Sequence, residues 1–392
     1  MILRDRNHPC VILWGFCGEI DSPDEVATHV VTAIVNKYRQ LDSGRLTTMH
    51  DPRVDAIKSI VDVVGLYSTW EDDDRDHKMY PGRKYVIEEY TVAGIGRGIY
   101  GMGSESEDLG VEHEKFLAEV NRRPWIAGSV LWHQFDYDGE EYDPVIPHVV
   151  TFGMADSWRI PKDVYYFYQS QWSVKPMVHI VSHWTWPGED GKEKSVKVYS
   201  NAPEVELFLN EKSLGIQRNR ERSGLRYPPR LWEVRYEPGM LKAVARGAGD
   251  TFSDERKTAG APAAILLETD ASQVDSGDRD SLAYITAKIV DKDGTVVPGA
   301  YHPITFTSYG PGRLLPQTWP GHGPGFTWNA HAGLTRIAFR ATGRVGRAKI
   351  TGYSPGLRAG HGCRQRQEGR DGVLQRSPDL PVNRSSTVQA CG

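Results

Sequence analysis

Two glutamates early in the chain stand where a reactive carboxylate would be placed. Glu19 follows the apolar run at 11–16 through Cys17 and Gly18, and Glu89 closes the segment KYVIEEY. A carboxylate just past a strand is more often a helix cap or an ion-pair partner, so position alone assigns neither a role. If both strands belong to one parallel barrel, their C-terminal ends open on a common face, and strands three apart face each other across the mouth. Two carboxyls about 5–5.5 Å apart there suit a double displacement at a sugar's acetal carbon. One protonates the departing oxygen while the other attacks.

The surrounding segments must then alternate strand and helix. The run at 11–16 is continuously apolar, as in a strand buried on both faces. Residues 22–40 carry a helical period through Val26, Val30, Ala33, Ile34 and Tyr38, opened by Asp21, Ser22, Pro23 and Glu25 in a capping-box pattern. Strands are expected at 45–49, 61–67, 84–89 and 126–132, a short helix at 53–60 and a longer one at 107–121. This order implies parallel strands joined by helical crossovers.

From about residue 175 short alternating segments take over, at 177–182, 195–200, 205–209, 232–236 and 241–246, with turns such as Asn210-Glu211 and Pro238-Gly239 between them. They read as a β-sandwich of immunoglobulin-like size. A second all-β unit is expected over 262–355, with strands near 264–269, 283–290, 304–308, 334–341 and 348–353 and a turn at Asp291-Lys292-Asp293-Gly294. After about residue 360 the periodicity fails, and a polar, disordered segment is expected.

The 392 residues are 39% hydrophobic and 25% charged, enough for several cores. A net charge of −4 with interspersed signs argues against a dedicated nucleic-acid binder. No apolar run is long enough to cross a membrane, and the start MILRDRNHPCVILWG lacks the pattern of a signal peptide. Cys10, Cys17, Cys363 and Cys391 form no zinc spacing, and no disulfide framework is expected. Cys17 has no base near it in sequence. The 11 Trp and 18 Tyr suit a protein that stacks on sugar faces, though cores need them too. Trp14, Trp184 and Trp186 are assigned to cores. The run EDDDRD at 71–76, after Trp70, reads as a solvated loop, with metal binding the lesser option. The glycine-rich stretch 94–103 lacks a phosphate-loop lysine and reads as a loop beside the site.

Residues 4–19, RDRNHPCVILWGFCGE, resemble the acid/base segment of glycoside hydrolase family 2, the β-galactosidase, β-glucuronidase and β-mannosidase family. Residues 83–90, RKYVIEEY, resemble its nucleophile segment, in which the glutamate directly before Tyr attacks. The resemblance implies Glu19 as acid/base and Glu89 as nucleophile. Glu88 is the next choice, but strand alternation would turn it to the other side. LDSGRLTTMHD is similar to the family's fifth-strand segment, DVVGLY to its sixth, and RPWIAGSVLWHQFDY to its eighth, whose Trp lines the sugar site. Trp132 takes that role. Tyr67 either hydrogen-bonds the nucleophile or packs at the rim. His50 either touches substrate or belongs only to the loop, and His133 and Asp136 are further contact candidates. GMADSWRIPKDVYYFYQSQW is similar to the linker that leaves the barrel. VYSNAPEVELFLNEKSLG and the unit from AGAPAAILLETD to GPG are similar to sandwich domains of the β-galactosidase-like members.

The resemblance implies a multidomain α/β plus all-β fold: a partial (β/α)8 TIM barrel, about strands 4–8, followed by two immunoglobulin-like β-sandwiches. The expected spans are 1–172, 173–258 and 259–358, with a disordered tail at 359–392. It also implies retaining hydrolysis of terminal β-linked sugars, β-galactosides first, with a carbohydrate substrate, no cofactor, no metal, no nucleic acid and no membrane. No carboxylate-binding Asn/Lys motif favours glucuronides. Two departures stand out. Gly18 replaces the family's asparagine, whose amide would hold a sugar hydroxyl. The family places further barrel strands and domains ahead of this segment, and residues 1–392 are expected to hold only about the last five strands of the barrel. The isolated chain is therefore expected to be poorly folded or inactive, with a complementing N-terminal half or a homo-oligomer as possible partner. The alternative is a non-catalytic carbohydrate-binding or scaffold remnant.

Overall fold

The five strands read in the first part of the chain lie side by side in sequence order. The computed structural model describes residues 1–20, 25–67, 70–90, 97–98, 110–139, 149–220, 224–247, 249–315, 326–361, 363–365 and 387–390. They form two compact units, one of residues 1–94, 109–134 and 221–226, the other of 95–108, 135–220 and 227–392.

In the first unit, helix α1 (Ile2–Asp5) leads into β1 (Leu13–Gly18), α2 (Glu25–Leu41), β2 (Leu46–His50), α3 (Asp55–Lys58), β3 (Val63–Leu66), α4 (Trp70–Met79), β4 (Tyr85–Tyr90), α5 (Gly110–Asn121) and β5 (Ile126–Leu131). The sheet order is β1-β2-β3-β4-β5 and every pairing is parallel. Each crossover lays a helix on the sheet, the arrangement of a (β/α)8 barrel. Val31, Val35, Ile57, Tyr85, Ile87 and Leu117 are buried in this unit. Trp14 is buried too, its indole N–H donating to Asp42 at 3.0 Å.

Two sequence expectations change here. In α2 the buried residues are Val31 and Val35, while Val26 and Val30 are 71% and 48% exposed. The doublets Val30-Val31 and Ile34-Val35 allow two apolar stripes, and periodicity could not choose between them. The acidic run at 71–76 is helix, not solvated loop: it lies in α4, with Asp73 and Asp76 buried. Asp76 accepts from Arg83 at 2.7 Å and from the Tyr85 hydroxyl at 2.8 Å, and Asp74 accepts from Arg123 at 2.8 Å. Trp70 packs on Phe116 beneath the Arg123 guanidinium. These partners lie outside the run, so its own composition could not reveal them. The capping residues 21–24, Ser68 and most of the glycine-rich stretch 94–103 lie outside the described residues.

The second unit opens with the pair β6 (Tyr137–Asp138) and β7 (Val149–Val150), then helix α6 (Asp163–Trp172). Residues 135–172, read with the barrel from sequence, fall in this unit. The α6 residues hold the strands that follow: Asp163 contacts His179 at 2.6 Å, Tyr166 stacks on the same ring, and Gln171 donates to the Tyr227 carbonyl at 2.6 Å. The first sandwich comprises β8 (Val178–Ile180), β9 (Glu193–Ser200), β10 (Glu204–Leu209), β11 (Lys212–Arg218), β12 (Arg230–Arg235), β13 (Met240–Gly247) and β14 (Asp250–Lys257). Its sheets are ordered β11-β10-β13-β14 and β12-β9-β8. Strands β10 and β12 alternate buried and open positions, and Val205, Leu207, Trp232, Val234 and Trp184 meet in the core. Strands β11 and β14 escaped the sequence reading because both are edge strands with few buried positions and no apolar alternation.

The second sandwich comprises β15 (Ala264–Thr269), β16 (Gln273–Asp275), β17 (Leu282–Val290), β18 (Pro303–Tyr309), β19 (Gly312–Leu315), β20 (Thr327–Asn329), β21 (Leu334–Ala341), β22 (Gly346–Tyr353), β23 (Gly360–His361), β24 (Cys363–Gln365) and β25 (Thr387–Ala390). Its sheets run β19-β21-β17-β15-β24 and β16-β25-β22-β18-β20, with β23 on β22. Ile285, Ile304, Phe306, Trp328 and Phe339 fill the space between them. The last three strands lie in the segment expected to be disordered. They pair over two to four residues, too few for a pattern to show in sequence. Residues 366–386 lie outside the described part.

Candidate active site

The C-terminal ends of the first four strands carry the polar residues of the first unit's rim. Strand β1 ends at Gly18, and Glu19 turns the chain with φ of +55°. A left-handed backbone at a residue other than glycine costs roughly 1–2 kcal/mol, so something must hold it. The Glu19 N–H donates to the His50 carbonyl at 3.0 Å, tying the turn to the end of β2. The Glu19 side chain is 60% exposed, with Oε1 3.5 Å from Arg53 Nη2. Arg53 in turn meets Asp51 at 2.6 Å. Asp51 also has positive φ, of 42°, and its N–H donates to the Gly65 carbonyl at 2.8 Å.

Glu89 is more enclosed. Its Oε2 lies 3.3 Å from His50 Nε2, in line of charge although not of a directed hydrogen bond. Burial pushes its carboxyl above the ordinary carboxylate range. His50 pulls it back, and the charges of Glu19 and Asp51 push it further up. Tyr67, just past β3, sits edge-on to the His50 ring at 5.8 Å. Its hydroxyl is pushed up by burial and then by Glu89, Glu19 and Asp51.

Glu88 departs from the alternation argument. Ile87 pairs with Ser129 and Tyr90 with Leu131, so β4 carries one residue more than β5 over this span. That is a bulge. Tyr90 stacks on Phe116 of the crossover helix, while Glu88 accepts from the Thr48 hydroxyl and Glu89 faces His50. Thr48 and His50 are two apart on β2 and share a face. Both glutamates therefore lie on that face. A one-residue bulge leaves no mark in a six-residue strand sequence.

Past β5, the Trp132 N–H donates to the Tyr90 carbonyl at 3.1 Å, and its indole is 37% exposed. The Trp132-His133 peptide is cis. Asp136, one of the lesser contact candidates, is buried and lies in the second unit. It accepts from Lys162 at 2.6 Å and from the Gly153 N–H at 2.9 Å, and burial pushes its carboxyl up to about 6. Burial also pushes the Cys17 thiol up, opposite to what a nucleophilic thiolate needs. Among the described residues no His, Cys, Asp or Glu side chains group into a cation site. Sequence reading missed Asp51 and Arg53, whose only signal is their place just past a strand end.

A rim of carboxylates on parallel strands, in a chain that continues into β-sandwiches, has the build of the sugar-cleaving barrel proteins. Comparison with known proteins narrows this to one family. Residues 1–116 match the model described as Glycosyl hydrolases family 2, TIM barrel domain, and residues 265–361 match Glycoside hydrolase family 2 C-terminal domain 5. Residues 191–252 match a domain of unknown function, DUF4982. The chain belongs to glycoside hydrolase family 2.

Among its relatives is the beta-galactosidase BoGH2A of Bacteroides ovatus, 28% identical over 91% of this chain and 50% of that protein. Another is a beta-glucuronidase of Formosa agariphila, 25% identical over 91% of this chain and 38% of that protein. A beta-glycosidase structure from Bacteroides vulgatus superposes with a TM-score of 0.79 at 26% identity, covering 92% of this chain and 51% of that one. The chain spans half or less of the length of these curated relatives.

Proposed function

We propose that this chain carries the two catalytic carboxylates of a retaining glycosidase acting on terminal β-linked sugars, with β-galactosides the first candidate. Glu89 attacks the anomeric carbon as the aglycone leaves, forming a glycosyl-enzyme ester. Glu19 gives its proton to the departing oxygen, then takes one from the water that cleaves the ester. Glu19 is open to solvent before substrate arrives. A sugar seated over it would exclude that water. Tyr67, edge-on to the His50 ring, is a donor candidate, and Trp132 offers an indole face for the sugar ring.

The observation that supports this reading is that Glu19, just past β1, and Glu89, near the end of β4, both meet His50, the first through its N–H at 3.0 Å and the second through its carboxylate at 3.3 Å. The galactoside preference leans on the relative named a beta-galactosidase, and relatives named beta-glucuronidases make a glucuronide the second candidate. The test is to incubate the chain with 2-deoxy-2-fluoro inactivators of both sugar types and map the labelled peptide by mass spectrometry. A label on Glu89, lost in Glu89→Gln, is expected. A folded chain that takes no label, or takes it on Glu88, sinks the assignment.

A further inference from the structure

We propose that His50 is a positioning residue that holds Glu89 in its relation to Glu19, and that Gly18 is glycine to make room for it. This rests on the reading of Glu89 as the attacking carboxylate. The backbone of His50 is fixed on both sides. It pairs with Gly18 on β1 and with Gly65 on β3, and its carbonyl receives the Glu19 N–H at 3.0 Å. Its ring lies across the rim with Nε2 3.3 Å from Glu89 and its plane edge-on to Tyr67. One residue thus meets Glu19 through its main chain and Glu89 through its side chain.

Gly18 supplies the second observation. It does not adopt positive φ, so its backbone conformation does not call for glycine. Space does: a Cβ added at residue 18 would sit 2.9 Å from His50 Cδ2 and 3.1 Å from His50 Cβ. Any larger side chain there must displace the ring. The asparagine that the family pattern places at this position would therefore compete with His50 for the same volume. Both ring nitrogens are buried, and neither has a directed hydrogen bond among the described residues. A ring serving only as packing would leave two buried nitrogens unanswered, at a cost an apolar residue avoids. Facing Glu89 gives Nε2 a charged partner at 3.3 Å.

Two measurements test this. In the chain labelled with ¹⁵N-histidine, the ring-nitrogen signals of His50 are compared at one fixed pH in the wild type and in Glu89→Gln. The charged groups around the ring are Glu89, Glu19, Asp51 and Arg53, with Tyr67 alongside. Losing Glu89 should move the His50 Nε2 signal, because that nitrogen lies 3.3 Å from the carboxylate. Separately, Gly18→Asn, His50→Ala and the double variant are compared by their rate of labelling with the fluoro-sugar. Each single variant should slow the covalent step about tenfold, with the inactivator affinity of His50→Ala unchanged, and the double variant should be no slower than His50→Ala, since one change displaces the ring that the other removes. An unmoved His50 Nε2 signal, or additive losses in the double variant, overturns the proposal even where Glu89 is labelled. A moved signal with no label on Glu89 sinks the nucleophile assignment while leaving the His50–Glu89 pairing intact.

Discussion

Asp73→Asn should make the first unit more stable at neutral pH, by an amount that grows as the pH rises. Asp73 is 5% exposed on α4, and its Oδ2 has no hydrogen-bond partner among the described residues. Burial is the first cause that pushes its carboxyl up to about 7. Lys58 and Arg123 oppose the shift, and Asp51 and Asp74 add to it. The unfolded chain releases this proton near the ordinary 3.8, whereas the folded chain keeps it to about 7. Stability from this group is therefore complete below the ordinary value and is lost as the pH climbs through about 7.

Each pH unit inside that window is worth about 1.4 kcal/mol. Allowing for half-ionisation at the upper end, the wild type should lose about 2 kcal/mol relative to Asp73→Asn between pH 5 and pH 7. Urea unfolding of both proteins at pH 5, 6 and 7, followed by tryptophan fluorescence, measures the gap. Asp136, pushed up to about 6, and His183, pushed down to about 4 by burial, titrate in both chains and cancel in the difference. A gap that stays flat across this range, or narrows as pH rises, would refute the reasoning that burial keeps Asp73 protonated in the folded chain.

Two further substitutions probe the rim and the second unit. Gly65→Ala places a Cβ 2.5 Å from the Met49 carbonyl and 2.8 Å from the Glu88 carboxyl, and should destabilise the sheet by about 1–3 kcal/mol; a thermal unfolding profile unchanged from wild type would contradict it. Lys162→Met removes the buried partner of Asp136 and should destabilise by about 3–5 kcal/mol, least at acid pH where Asp136 is neutral; a loss that does not shrink as pH falls below 6 would count against the ion pair.

Much of the barrel was legible because its strands are short apolar runs and its crossovers have helical period, both local properties of the chain. The rim was less so. The strand-end positions of Glu19, His50, Tyr67 and Glu89 could be read, but which way their side chains turn depends on register. The bulge in β4 put Glu88 on the face alternation denied it, and the pairing of β1 with β2 brought His50 over Gly18. Asp136 shows the reverse case. Its place after Trp132 suggested the site, yet Lys162 and Gly153, far along the chain, draw it into a buried pair. Nothing local to Asp136 announces either partner.

By itself the sequence determined the order of elements, the family, and the residue types at the strand ends, because apolar period, turn chemistry and motif spacing are written along the chain. Only the tertiary structure decided which glutamates share a face, which acids are buried, and that the His50 ring fills the space above Gly18. Those outcomes depend on strand register and on partners distant in sequence, and a distance between neighbouring strands cannot be computed from either strand alone.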